Sequence, residues 1–256
     1  MTASERAYPS VFVRPRREPR SSLTREQIVA EALRLLDTEG VDALSMRKLA
    51  AGLGVGATSL YWHVANRDEL IDLVIDKVYG ELDLPGLDEA SGGADDWREA
   101  ARRLAHSIRA TTLRHPWVVS MLDRLVGATF LGPNLATATE RMFALFEGAG
   151  FELREAERAL NTMISYVFGV AIAEAAWHNW LARHGKTARE WLDESRRSFD
   201  TATTEGLERF RAVITAYDGS DPEAVSNEDF EYGLERVLDG LQVRLGGPSE
   251  EELRNS

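Results

Sequence analysis

Ser45-Met-Arg-Lys-Leu-Ala-Ala-Gly-Leu-Gly-Val-Gly-Ala-Thr-Ser-Leu-Tyr-Trp-His-Val-Ala-Asn-Arg67 decides how this chain is read. Ser45 can cap a helix by accepting from a free backbone N–H. Met46, Leu49, Ala50 and Leu53 then recur on one helical face. Gly54 follows the last apolar residue, where a helix ends in the left-handed conformation that glycine adopts without strain. Val55 fills the turn, and a second short helix begins near Gly56 or Ala57. Its Ala57, Leu60 and Val64 are predicted inside, and Thr58, Ser59, Trp62 and His63 outside. Asn66 with Glu69 three residues on is a capping box, so a further helix starts there.

A helix, a glycine-containing turn and a short second helix form the helix-turn-helix pattern. In that motif the second helix enters the DNA major groove. The side chains left outside suit the task. Thr58, Ser59 and Tyr61 offer hydroxyls, Trp62 a flat apolar face, and Arg47, Lys48 and Arg67 positive charge for phosphates. The competing reading makes Tyr61 and Trp62 ordinary core residues of a small helical domain. The pattern alone leaves both open.

The residues carry more than the pattern. Leu60-Tyr-Trp-His-Val64, followed by Asn66-Arg67 and preceded by Met46-Arg-Lys-Leu-Ala50 and Leu53-Gly-Val55, resembles the DNA-binding domain of the TetR family of bacterial transcriptional regulators. It is similar in particular to the tetracycline-repressor branch, which Leu60 to Val64 matches residue for residue. The likeness is strong from about Leu23 to Leu73 and looser to about Leu245. It implies an all-α protein: a three-helix helix-turn-helix domain, then a larger helical domain for ligand binding and dimerisation.

Composition fits that expectation. The 256 residues hold no cysteine, which excludes disulfides, thiol nucleophiles and cysteine metal sites. The N-terminus lacks the apolar core of a secretory signal. The apolar stretch Tyr166 to Trp177 is too short to span a bilayer and contains Glu174, so a cytoplasmic protein without a membrane partner is expected. The net charge of −12 is unevenly spread. Residues 1–67 carry 10 basic and 7 acidic side chains, a net of +3; the remainder carries 20 and 35, a net of −15. Such asymmetry points to a nucleic-acid partner for the basic part.

In order, residues 1–22 read as a disordered arm in which Arg14, Arg16, Arg17 and Arg20 cluster. A solubilising tail and an arm along DNA phosphates are both consistent with it. Thr24 and Gln27 form a capping box opening a helix over Arg25 to Glu39. Residues 23–69 are expected to form the DNA-binding domain, 70–246 the helical body, and 247–256 a tail. The connecting helix is expected over Asn66 to Leu82, with a loop over Leu84 to Asp95. Further helices are predicted over Asp96 to His115, Val118 to Val126, from Pro133 to Gly148, and over Arg154 to His184, Thr187 to Tyr217 and Asn227 to Leu245, with a weak point at Glu205-Gly206 and a loop over Asp218 to Val225.

No phosphate loop, nucleophile elbow or other catalytic set occurs, so neither an enzyme nor a cofactor is expected. Glu174 and His178 share a helix face, where a salt-linked pair is the simpler reading than a metal site. Candidate ligand-lining residues are Trp117, Met121, Phe130, Met142, Phe146, Met163, Tyr166, Glu174, Trp177 and His178, because a small organic ligand needs an apolar wall with a few polar handles. The same residue types at helical spacing are more often plain core.

The resemblance supplies the rest of the expectation. Two subunits pair through Arg154–His184 and Asn227–Leu245 as a four-helix bundle. The dimer reads a near-palindromic double-stranded operator, with half-sites about 34–36 Å apart. A small organic effector moves the connecting helix and releases the DNA. Arg47, Lys48, Ala57, Thr58, Ser59, Tyr61, Trp62, His63 and Arg67 are the expected DNA contacts. Tetracycline repressors carry Gln-Pro where this chain has Ala57-Thr58, so their bidentate glutamine contact to adenine is missing and a different operator is expected. They also bind a magnesium–drug chelate through a histidine, and the matching stretch here, about Leu122 to Asn134, has none; tetracycline is not the expected effector. Arg47 matches an arginine that reads guanine. Arg47→Ala is expected to lose about 1–3 kcal/mol of base discrimination, measured as the ratio of operator to scrambled-DNA affinity; equal weakening on all DNA would make Arg47 a phosphate contact only.

Overall fold

Local capping signals set the helix starts. The computed structural model describes residues 23–84, 96–121, 132–201, 206, 208–217 and 219–245. The arm, the tail, Gly127 to Leu131 and nearly all of the loop expected over Leu84 to Asp95 lie outside them. Helix α1 (Arg25–Glu39) opens on the Thr24–Gln27 capping box, with both reciprocal bonds present. It stops at Gly40, whose φ of 78° suits glycine. A 3-10 turn (Val41–Ala43) leads to α2 (Met46–Gly52), capped by Ser45 through the Lys48 N–H. The turn passes Gly54, at φ 66°, into the short α3 (Ala57–Leu60). The connecting helix α4 (Arg67–Tyr79) is capped by Asn66, which accepts from the Glu69 N–H at 2.8 Å. The expected reciprocal bond is displaced by one residue: the Glu69 carboxylate accepts from the N–H of Ala65. The helix ends at Tyr79, short of the expected Leu82, because the chain turns at Gly80.

The body follows. Helix α5 (Asp96–Arg114) runs into a 3-10 turn (Pro116–Met121). That turn occupies the described part of the stretch expected as a helix from Val118; proline at its first position breaks the α5 hydrogen-bond ladder. Helix α6 (Pro133–Gly148), α7 (Leu153–His184), α8 (Ala188–Thr201), α9 (Glu208–Ala216) and α10 (Pro222–Leu245) complete the described elements. Two expectations are corrected. Thr187 to Tyr217 is not one helix: α8 ends at Thr201, α9 begins at Glu208, and Gly206 between them sits at φ 85°. Asp218 to Val225 is not all loop, because Pro222 occupies the first turn of α10, where its missing N–H has no helical partner to lose.

Two cores result. In the first, Ile28, Leu35 and Leu36 of α1, Leu49 of α2 and Leu60 of α3 close on Ile71, Val74, Ile75 and Val78 of α4. Trp117 and Val118, from the 3-10 turn after α5, join this same core. In the second, α7 lies at the centre and packs on α5, α6 and α10. Its length and apolar composition would suffice to cross a bilayer, but Leu160, Met163 and Val167 are instead buried among Leu104, Phe146 and Leu234. The outer side of α5 is clamped to α10 by ions: Arg98 bonds Glu235 and Asp239, each at 2.8 Å, and Arg102 bonds Glu235.

Helix α4 belongs to both halves. Its Asp76 is 7% exposed. The carboxylate accepts from the Leu135 N–H at 2.9 Å and from the Asn134 amide at 3.0 Å, capping the first turn of α6 from another element. Gly132 lies so close that a Cβ there would fall 2.4 Å from the Asp76 carboxyl carbon. Asp76→Ala is expected to destabilise the protein by about 1–3 kcal/mol, since it strands a buried donor. Urea unfolding measures this; an unchanged midpoint would mean that solvent already satisfies the α6 terminus.

Candidate nucleic-acid interface and interior cavity

The helix-turn-helix presents one exposed set. Trp62 is 86% exposed and Tyr61 53%. Thr58, Ser59 and Arg47 are also exposed, while Leu60 and Val64 are fully buried beneath them. The choice between core and surface for Tyr61 and Trp62 therefore falls on the surface. Ala57 and His63 are half-buried at the margins. Trp62, in the turn just past α3, leaves a large apolar face in water.

Two of the expected cations have structural partners. Arg67 donates from Nε to the Leu44 carbonyl at 3.0 Å and from Nη2 to the Val41 carbonyl at 2.9 Å. It thus ties the start of α4 to the 3-10 turn and helps position α2. Spacing could not reveal this bracing role, because the partners are backbone atoms more than twenty residues away. Lys48 pairs with Glu39. Arg25 binds the His63 carbonyl at 3.1 Å, fixing the exit from α3.

Below the head, the body holds a half-open cavity of about 490 Å³. Its apolar walls include Ile108 of α5, Leu135 and Phe143 of α6, and Ile164 and Phe168 of α7. Val78 and Tyr79 of α4 and Val118 of the 3-10 turn complete the side nearest the head. The polar lining comprises Thr111, Thr112, Thr139, Glu140 and Asn161. Thr112 and Thr139 donate to carbonyls of their own helices, at 2.8 and 2.9 Å, so their oxygens keep acceptor capacity. Burial pushes the Tyr79 hydroxyl up to about 12, so it remains a neutral donor at physiological pH. The enclosure suits an organic molecule with an apolar body and a few hydrogen-bonding groups.

Most ligand-lining candidates lie elsewhere. Met142 lines the cavity. Phe146 and Met163 fill the body core. Trp117 is buried against the head and donates its indole N–H to Asp37 at 2.7 Å, with Met121 packed nearby. The Tyr166 hydroxyl donates to the Phe230 carbonyl at 2.8 Å. Glu174 does not pair with His178, which points to solvent. It accepts from Arg109 at 2.8 and 2.9 Å, while Arg109 also donates to Asn227 and lies over the Phe230 ring. Trp177 stacks on Trp180 and meets Trp191 edge-on. Phe130 lies outside the described residues. Large side chains at helical spacing fill space, whereas a cavity is walled by neighbours one step round the helix. The Thr111-Thr112 pair on the apolar side of α5 was the available signal for the polar lining of this cavity.

A further polar cluster joins head and body. His115, 3% exposed, has Nδ1 at 2.7 Å from Asp37 Oδ1 and Nε2 at 3.0 Å from Glu81 Oε2. Arg114 also binds Glu81, at 2.8 Å. Burial pushes the Glu81 carboxyl up, but the hydrogen bonds from His115 and Arg114 outweigh it and hold the group below the usual carboxylate range.

Comparison with known proteins now fits the geometry. The family described as "Bacterial regulatory proteins, tetR family" matches residues 28–74, and "Tetracyclin repressor-like, C-terminal domain" matches 90–245. The chain belongs to the TetR family of transcriptional regulators. It is 37% identical to an HTH-type transcriptional regulator of Saccharopolyspora erythraea over 180 residues, 70% of this chain and 73% of that one. It is 31% identical to the HTH-type transcriptional repressor DrrR1 of Streptomyces coeruleorubidus over 230 residues, 90% of this chain and 81% of the relative. The crystal structure of apo ActR from Streptomyces coelicolor superposes with a TM-score of 0.67 at 29% identity, covering 89% of this chain and 98% of that one. ActR in complex with actinorhodin superposes at 0.66 and 30% identity, covering 88% and 99%. As a TetR-family member the chain is a DNA-binding transcriptional regulator. Trp62→Ala is expected to shift stability by less than about 0.5 kcal/mol while weakening specific DNA binding roughly tenfold or more, as loss of a central aromatic contact does. Thermal melts paired with anisotropy titrations separate the two; unchanged affinity would remove Trp62 from the interface, and a large fall in the melting midpoint would make it a requirement of the fold.

Proposed function

We propose that this regulator is a homodimeric repressor released from its operator by a small organic effector held in the 490 Å³ cavity. The observation that carries the reading is the continuity of α4. Its N-terminal half is packed into the helix-turn-helix core, while Val78 and Tyr79 at its other end form cavity wall. A molecule in the cavity presses on the same helix that aims Arg47, Thr58, Ser59, Tyr61 and Trp62 at DNA. It shifts the balance between bound and released forms only by its differential affinity for the two. That ActR crystallises with actinorhodin supports an interior effector in a fold of this kind.

Pairing is supported by the free side of α7, where Gly169, Ala173 and Ala176 are exposed, and by exposed Tyr232 and Val243 on α10. Small residues let two helices approach closely, so α7 and α10 of two copies suit a four-helix bundle. A two-fold dimer then reads a near-palindromic operator. Ala57, His63 and Lys48 flank the direct contacts. A protein that acts on the chromosome works in the cytoplasm.

Fluorescence anisotropy with the DNA immediately upstream of its own gene, against scrambled DNA at physiological salt, tests the operator; a candidate-effector library titrated into the complex tests release. Ala136→Phe, which places a ring in the cavity, is expected to keep operator affinity within about threefold and to abolish release, as overpacking removes the room a ligand needs. Undiminished release from the Ala136→Phe protein would move the effector site elsewhere.

A further inference from the structure

Two main-chain carbonyls, of Val41 and Leu44, stand just ahead of α2. The first acceptor of the α2 ladder is the Ser45 carbonyl, and the Lys48 N–H goes to the Ser45 hydroxyl. The Leu44 carbonyl therefore finds its donor elsewhere, as a buried stretch of backbone requires. Arg67, at the first position of α4, supplies it: Nε donates to Leu44 at 3.0 Å and Nη2 to Val41 at 2.9 Å. These two nitrogens form the side-on edge of the guanidinium, the edge with which Arg109 grips the Glu174 carboxylate. A phosphate held side-on needs that same edge, and in Arg67 it faces the protein's own backbone. Arg25 of α1 braces the other side of the motif in the same manner, through the His63 carbonyl.

We propose that Arg67 is a positioning residue for operator reading: it fixes where α2 begins, and so where Arg47 meets the base edges, without binding phosphate itself. The proposal rests on the reading of Arg47 as a DNA contact. Arg47 is exposed, two residues past the Ser45 cap, on a helix of only seven residues. A displaced start carries the whole of so short a helix with it. A bidentate contact tolerates a displacement of about 0.5 Å, so loosening the turn before α2 costs base discrimination first. Contacts to phosphates survive such a shift better, because long cationic side chains follow the backbone of any DNA sequence. A fork of two donors in one plane is what the two carbonyls require. Lysine keeps the charge of arginine but offers a point instead of a fork.

That difference makes the test. The probe is the DNA that wild type enriches from a random-sequence pool, set against scrambled DNA. Affinities for both are measured by fluorescence anisotropy between about 50 and about 200 mM salt. The proteins are wild type, Arg67→Lys, Arg67→Gln, Arg47→Ala and the Arg67→Lys, Arg47→Ala double variant. Both Arg67 variants should lose roughly tenfold in the ratio of enriched to scrambled affinity, the scale of one bidentate base contact. Both should keep the wild-type salt slope on scrambled DNA. The double variant should lose no more than Arg47→Ala alone, because the two residues act through one contact. A phosphate ligand behaves otherwise: Arg67→Gln weakens both DNAs alike and lowers the slope by about 0.9, and Arg67→Lys restores both. That pattern overturns the proposal. So does an unchanged ratio in Arg67→Lys, with or without a fall in its thermal midpoint, which would leave Arg67 a contact of the fold alone. Should Arg67→Gln fail to fold, Arg67→Lys decides by itself, since a lost ratio with a kept slope is expected only of a positioning group. If Arg47→Ala leaves the ratio unchanged, the reading of Arg47 falls and the route through it, while the Arg67 ratios and slopes still decide whether Arg67 positions the motif. A pool in which no sequence is enriched overturns specific recognition, and the proposal with it.

Discussion

A buried carboxylate in the middle of α4 constrains the rest of the molecule. Asp76 is almost closed off from water, and an uncompensated charge there is prohibitive. Its compensation comes from the first turn of α6. The cap therefore fixes where α6 begins relative to α4, and Gly132 is needed because no side chain fits beside Asp76 at φ 149°. On its other faces α4 presents Ile71, Val74, Ile75 and Val78 to the head core. One helix thus carries two commitments, apolar toward the head and electrostatic toward the body. Helix α6 is also a cavity wall. A displacement of that wall cannot leave α4 untouched unless the cap breaks.

The body is stiffened in ways that direct such a displacement. Arg98 and Arg102 clamp α5 to α10, and Arg109 with Glu174 and Asn227 ties α5 to α7 and α10. The Arg109–Glu174 pair is well buried, with side chains 9% and 11% exposed. Breaking such a pair leaves an uncompensated charge, so these three helices are firmly tied to one another. The softer boundary lies where α4, α6 and the 3-10 turn meet the head. The excess negative charge of the body keeps that unit solvated and away from DNA, while the net positive charge of the chain's N-terminal part lies in residues 1–22.

How legible this was depends on the range of the interaction. Helix starts rest on neighbours three residues apart, and Thr24–Gln27, Ser45 and Asn66 could be read directly. In the helix-turn-helix the period placed Leu60 and Val64 inward, but it left Tyr61 and Trp62 open between core and surface until the structure exposed them. The ion pairs did not follow. Glu174 had a histidine four residues on, but its partner, Arg109, is 65 residues away. The bracing bonds of Arg67 were not legible either, because its backbone acceptors leave no trace in sequence. The cavity was the least legible, since composition reports what fills an interior and is silent on what leaves it empty; Phe146 and Met163 are filling, and Phe143 and Phe168 are wall.

The contacts across the joint also bear on how much an effector must do. Coupling between two sites in a regulatory protein is typically about 1–3 kcal/mol. A hydrogen bond to a charged group contributes about 1.5–3 kcal/mol. Among the described residues the joint offers few of these: the Asp76 cap, the His115 bridge between Asp37 and Glu81, and the bonds from Trp117 to Asp37 and from Arg114 to Glu81. An effector therefore need not unfold the joint or repack either core. Weakening one bond of this kind, with the apolar contacts of Trp117 and Val118 intact, is commensurate with the whole coupling. The apolar contacts set how firmly the head is attached, and the few polar ones set its angle. Control by a small molecule is feasible in this fold because those two tasks fall to different atoms.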